Sequence, residues 1–368
     1  KFKAGIFVEE AGSGLIEGYI GRVCTWGKAS DGKLGHGAGS STQADLKTPF
    51  SIYGPLYHYS ITTIGCGDDH SACITDDGRL FTWGSNKEGQ LGLRDFKTRL
   101  QPVMVECCHD PDVPRLKNTK NKIFTNIIVG NWHNLAITSK KKVYAWGKNK
   151  YGQLGLGHTN NLSLPTSILP LSDPLNPKNV RCVAAGKSHS VIIAEDGDVY
   201  TWGRGWDGQL GHDVVTEIEL EPRIVPHMEN RASAAVACGA GHTVIVTDNG
   251  NVWAWGDNKS GQLGTGNLTS TATPIFLSTM DEQEVTHVAC GMEHTVLVTI
   301  ANEVYGFGNG VYDQLGLGTL GIFPKPHRIP GLTAVPRIQS VACGKNSTAV
   351  VGGDDTAYML GTWDGLTN

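Results

Sequence analysis

The stretch ACGAGHTVIVTDNGNVWAWGDNKSGQLG, residues 237–264, decides how this chain is read. Gly239 stands three residues before His242, a β-branched run follows, and Asn249-Gly250 leads into a Trp-Gly pair and then Gly-Gln-Leu-Gly. The runs Thr243 to Thr247 and Asn251 to Trp255 have the composition of strands. Asn-Gly between them is a hairpin turn in which Gly accepts a positive φ.

The same phrase recurs outward in both directions. Its Trp-Gly element lies at Trp26, Trp83, Trp146, Trp202 and Trp255, with Phe307 and Leu360 in the same slot of the last two copies. Thirteen residues earlier stand His70, His133, His189, His242 and His294, and the same count from Trp26 and Leu360 reaches Ser13 and Ser347. Seven copies of one unit are therefore present. Each reads as four short strands: one ending at the Gly, one leaving the His, one through the Trp, and one near a Pro after Leu-Gly. This predicts an all-β fold, a seven-bladed β-propeller of four-stranded blades. No such unit buries both sheet faces alone, so residues 1–368 are expected to form a single closed domain. Ile6-Phe7-Val8 falls where the strand before a first His would lie, and the last copy stops after Gly361, ahead of its Pro-containing strand. One blade is thus expected to be closed by both chain termini, and the chain is expected to be part of a larger protein.

Composition agrees with this reading. There are 48 Gly in 368 residues and only 18% charged residues, which suits short strands and tight turns. A net charge of −4 gives no general attraction to nucleic acid or anionic lipid, so nucleic acid is not an expected partner. No apolar run approaches the roughly 18 residues of a membrane span. Of nine cysteines, Cys66, Cys238, Cys290 and Cys343 recur just before the Gly of the phrase, one repeat apart, and are read as small apolar residues and not as disulfide partners. That reading places the chain inside the cell, in the cytoplasm or nucleus.

The elements Ala-Cys-Gly-x-x-His-Thr and Val-Tyr-x-Trp-Gly-x-Asn-x-x-Gly-Gln-Leu-Gly resemble the repeat of the regulator of chromosome condensation family over nearly the whole chain. The fold hosts several activities, among them nucleotide exchange on the small GTPase Ran, ultraviolet-B reception, and the propellers of giant HECT ubiquitin ligases.

Repeated and variable residues carry opposite weight, because a group needed for chemistry is needed once. The five His and the five Trp of the Trp-Gly element are accordingly read as structural. Specificity is expected where the copies differ, between the Gly and the His: Asp68-Asp69, Asn131-Trp132, Lys187-Ser188, Ala240-Gly241, Met292-Glu293 and Lys345-Asn346. The resemblance implies that these lie on one partner-binding face, with Asp68, Asp69 and Glu293 as counterparts of the acidic residues by which the Ran exchange factor engages its GTPase. The wedge that exchange factor inserts after one Trp-Gly is absent from the uniform turns Ser85 to Gln90, Lys148 to Gln153, Arg204 to Gln209 and Asp257 to Gln262. Only Trp132 offers the face an aromatic of the kind the photoreceptor stacks there.

The longest insertion, residues 100–125, contains Cys107-Cys108-His109 and then Arg115, Lys117, Lys120 and Lys122. Two adjacent Cys with a His lack the separated pairs of a zinc site, so no metal is expected. The basic string reads either as a dock for an acidic protein surface or as a solvated loop. Trp206 interrupts a turn that is polar elsewhere and is a further partner candidate. No nucleophile elbow or phosphate loop occurs, so neither catalysis nor a cofactor is expected. The expected function is a protein-binding module, expected to be a monomeric domain, of a larger intracellular regulatory protein such as a HECT ubiquitin ligase or scaffold; the alternative is a guanine-nucleotide exchange factor for a Ran-like small GTPase.

Overall fold

The computed structural model describes residues 5–9, 22–37, 45–106, 124–168, 179–229, 231–354 and 356–361. The string Arg115, Lys117, Lys120, Lys122 and the Cys107-Cys108-His109 element lie outside the described residues. The chain divides into two compact units, Lys1–Val180 and Arg181–Asn368.

All the sheets are antiparallel meanders, with strands paired in chain order. In the first unit, the first sheet has three strands, Gly5–Glu9, Arg22–Gly27 and Leu46–Ser51. Two four-stranded sheets follow at residues 61–104 and 124–167. The second unit holds four-stranded sheets at residues 180–224, 233–276 and 285–328, then a three-stranded one at 340–361. These are blades of the β-propeller class, the fold the repeat predicts.

The fifth sheet shows how the repeat builds a blade. Its strands are Ser233–Cys238, His242–Thr247, Val252–Gly256 and Thr271–Phe276. The second strand is buried at every position, which explains why it reads as a nearly continuous apolar run. Val244 and Val246 pack in one cluster with Leu297 and Phe307 of the sixth sheet, while Ile245 and Trp255 pack with Val191, Ile193 and Val199 of the fourth. In the first unit Trp146 likewise joins Ile74 and Leu80 of the preceding sheet, and Trp83 joins Val23 and Ile52. Trp83, Trp146 and Trp255 thus each cover the preceding sheet's face, a large apolar area removed from water.

The fourth strand carries a Pro, as in Pro102, Pro165, Pro222 and Pro274. Proline lacks a ladder donor and is tolerated on a sheet edge, where these strands lie. The ladder to this strand slips at the Trp, between Ala254 and Gly256, and Gly256 sits at φ 107°. A Cβ there would also strike the Gly241 carbonyl, so Gly is required.

The N-terminal strand differs from the sequence reading. Gly5 pairs with Trp26, as Thr243 pairs with Trp255, so the strand containing Ile6-Phe7-Val8 takes the place of the His-bearing strand and not of the strand before it. Backbone pairing, which letters in a degenerate copy cannot report, sets this register; Ser13 lies outside the described residues. Among the described residues the first and last sheets have three strands each. The first lacks an initial strand and the last lacks a fourth.

Candidate functional site

The Gly-x-x-His phrase forms a tight turn between the first two strands. The Gly N–H donates to the carbonyl of the residue three later: Gly67 to His70 at 2.8 Å, Gly130 to His133 at 2.8 Å, Gly239 to His242 at 2.9 Å, Gly291 to His294 at 2.9 Å. A Cβ on Gly67, Gly186, Gly239 or Gly291 would collide with the imidazole of its own turn, which is why Gly stands there.

The imidazoles of His70, His189, His242 and His294 each reach into the next sheet. His189 Nε2 lies 3.0 Å from Thr243 Oγ1, His242 Nε2 3.0 Å from Thr295 Oγ1, His294 Nε2 3.1 Å from Thr348 Oγ1, and His70 Nε2 2.9 Å from Asn134 Oδ1. Those threonines donate their own hydroxyl protons to the carbonyls of Gln209, Gln262 and Gln314, so the imidazole must be the donor. The Gln209 carbonyl also accepts the indole N–H of Trp255, and the Gln90 carbonyl accepts both Asn134 Nδ2 and the Trp146 indole. His, Trp and the Gln-Leu-Gly turn are therefore one hydrogen-bonded joint between neighbouring sheets. Burial lowers His242 to about 4 and His294 to about 3, keeping both neutral. His133 is also fully buried.

Because constant residues hold the backbone, the two variable residues form the tip. Neighbouring tips are joined by main-chain bonds: Asp68 N–H to Asn131 O at 3.1 Å in the first unit, and Lys187 to Gly239, Ala240 to Met292 and Met292 to Lys345 in the second. The second variable residue accepts, through its carbonyl, the N–H of the residue just after Trp-Gly: Ser85 on Asp69, Lys148 on Trp132, Arg204 on Ser188, Asp257 on Gly241, Asn309 on Glu293. Apart from buried Ser85, the side chains of that second set are half-exposed beside the tips, and sequence reading passed over them. Their fixed spacing, sixteen residues after each second variable position, was the available signal.

The turn tips of each unit are engaged differently. In the first, Lys33 is almost fully buried and sits 3.1 Å from the Asp68 carbonyl and 3.3 Å from Asp69 Oδ1. Lys33 occupies the slot that holds Gln in the next five copies, and its own carbonyl accepts the Trp83 indole. Asn131 donates to Asp68 Oδ2 at 2.9 Å. The Lys148 ammonium lies 4.4 Å over the Trp132 ring and 3.6 Å from Glu88. In the second unit Ser188 is buried, and Glu293 accepts from Ser260 at 3.1 Å and Asn309 at 3.0 Å. Lys187 and Lys345, with Met292 and Asn346, are half-buried, and neither lysine enters an ion pair among the described residues. Trp206 is 47% exposed, with the Arg204 guanidinium 4.8 Å from its ring centre and Arg204 paired to Asp207 at 2.9 Å. Among the described residues no group of His, Cys, Asp and Glu could hold a metal. Seven cysteines are free thiols there, and no described helix is long and apolar enough to cross a membrane.

Residues 15–267 match the RCC1-like domain, and residues 249–298 and 302–351 match the regulator of chromosome condensation repeat. The ultraviolet-B receptor UVR8 of Arabidopsis thaliana is 33% identical over 300 residues, 80% of this chain and 62% of that protein. The E3 ubiquitin-protein ligase HERC2 of Homo sapiens is 34% identical over 279 residues, 76% of this chain but 5% of the ligase. Among solved structures, Prp20p of Saccharomyces cerevisiae, described with its binding properties to Gsp1p and histones, superposes with a TM-score of 0.75 at 23% identity, covering 92% of this chain and 80% of that one. Human WBSCR16 gives 0.73 at 25% identity over 87% and 78%.

Proposed function

This chain belongs to the RCC1-like domain family, and on that premise we propose that it is a protein-interaction module, the binding part of an intracellular regulatory protein of the ubiquitin-ligase or scaffold kind. It contacts its partner through the row of variable turns and the residues beside them. The observation that carries this reading is the separation of duties within one turn. The His is buried and spent on a neighbouring sheet, while the two residues before it change charge, size and polarity from copy to copy on an unchanging backbone. A surface built this way offers recognition without an acid, base or nucleophile of its own.

Lys187 and Lys345 are cations on these turns, and neither enters an ion pair among the described residues, so reversing them leaves the fold alone and changes what the turns can bind. Affinity capture from cell extract with the wild-type chain and with Lys187→Glu/Lys345→Glu tests the reading. A defined set of proteins retained by the first and lost by the second is expected. Identical captures would contradict it.

The alternative, exchange on a Ran-like small GTPase, draws on the carboxylates of Asp68, Asp69 and Glu293. All three are already engaged within the chain, by Asn131, Lys33, and Ser260 with Asn309. Release of a fluorescent guanine nucleotide from a panel of small GTPases is expected to proceed at the intrinsic rate. Acceleration by the wild-type chain that Glu293→Ala abolishes would install exchange in place of the module.

A further inference from the structure

The loops that follow Trp-Gly come in two kinds. In the second, third and fifth sheets a fully buried Asn clamps the loop: Asn86, Asn149 and Asn258 each accept from a Leu N–H through Oδ1 and donate through Nδ2 to a carbonyl nine residues on. In the sixth sheet that slot is Gly310. Its N–H donates instead to Gly321 O at 2.8 Å, and Asn309 pairs with Ile322, so the ladder itself is extended by a step. A Cβ at Gly310 would lie 2.8 Å from the Phe323 ring, which leaves no room for the clamp.

The hairpin so formed carries Val311, Tyr312, Leu320 and Ile322 at 49, 46, 67 and 46% exposure. Four large apolar side chains within twelve residues exceed the scattered apolar exposure of an ordinary surface. They are not exposed through looseness. Tyr312 N–H is held by Gln314 Oε1 at 2.9 Å, and Gln314 and Leu315 are buried beneath them. The platform is preorganised, so a ligand meets little ordering cost on it.

Charge tells what fits. The only carboxylate between residues 309 and 328 is Asp313, whereas the adjoining edge strand, Ile322–Arg328, exposes Lys325, His327 and Arg328. Arg328 is paired with Glu303 at 3.0 Å, but Lys325 enters no ion pair among the described residues, and its stem lies across Gly266 of the preceding loop. Pro324 and Pro326 remove two N–H donors from that edge, which opposes recognition by strand addition and leaves recognition to side chains.

We propose that the hairpin at residues 309–322, with Lys325 beside it, is a docking surface for a partner segment that presents apolar side chains flanked by carboxylates. The hairpin adjoins the variable turns at Asn309, which donates to Glu293, but its apolar side chains are other residues and the proposal does not depend on the function of the turns. Carboxylates on the segment meet Lys325 while its apolar side chains cover Leu320, Ile322 and Tyr312.

The test uses the whole chain and two labelled decapeptides, one alternating Leu with Glu and the other Leu with Lys, read by fluorescence anisotropy at physiological salt. The acidic peptide is expected to bind at least tenfold more tightly than the basic one. Leu320→Ser with Ile322→Thr should weaken it at least tenfold with an unchanged thermal melt, and Lys325→Glu should reverse the preference. Equal binding of the two peptides, or acidic-peptide binding indifferent to the Leu320 and Ile322 changes, would overturn the proposal. A wild-type dimer in sedimentation that the double variant dissolves would also overturn it, by showing that a second copy occupies the hairpin.

Discussion

The turn at Gly239–His242 and the loop that begins at Gly310 solve the same problem in opposite ways. In the turns one geometry holds whatever letters fill the two middle positions, because the Gly admits the imidazole and the imidazole reaches the next sheet. In the loops after Trp-Gly the geometry itself changes with one letter, Asn clamping the chain in the fifth sheet and Gly lengthening the ladder in the sixth. The difference teaches where variation is cheap. Turn tips vary without touching the fold, whereas loop variation redraws which side chains face water.

Acid is the strongest way to break the turns while sparing the loops. A His whose folded pKa lies below its ordinary 6.5 is charged first in the unfolded chain, so its stabilising effect is complete above pH 6.5 and is lost as pH falls toward the folded value. With His242 at about 4 and His294 at about 3, a drop to pH 5 should cost about 4 kcal/mol from the pair. Urea midpoints between pH 7 and 4 read this directly, and a flat profile would refute the neutral buried assignment. Next in size, Gly239→Ala should lower stability by about 3 kcal/mol, since the added Cβ meets the His242 ring and the Gly291 carbonyl; denaturant midpoints at fixed pH measure it. Smallest, Asn258→Gly converts the fifth sheet's loop toward the sixth's without the compensating ladder bond. A loss of about 2 kcal/mol is expected, with faster amide exchange confined to residues 257–270.

Much of this was legible in the letters. The seven copies, the strand runs and the split between constant and variable turn residues follow from spacing alone, because each blade repeats one local solution and a repeat leaves its period in the sequence. Trp206 was also visible as an aromatic out of pattern, and the structure exposes it. The engagement of Asp68 and Asp69 was not visible. Lys33 stands in a Gln slot thirty-five residues before Asp68 and reaches the pair only through the packing of two sheets.

The sequence by itself determined that this protein is built of repeated antiparallel sheets joined by a His, a Trp and a Gly at fixed offsets, since those positions satisfy backbone and packing demands that recur in every copy. Only the tertiary structure decided which charges are spent internally, which strand of the first sheet the N-terminal segment supplies, and that the sixth hairpin turns its apolar side chains outward. Those outcomes depend on contacts between residues far apart in the chain, and no local pattern encodes which neighbour a side chain will meet.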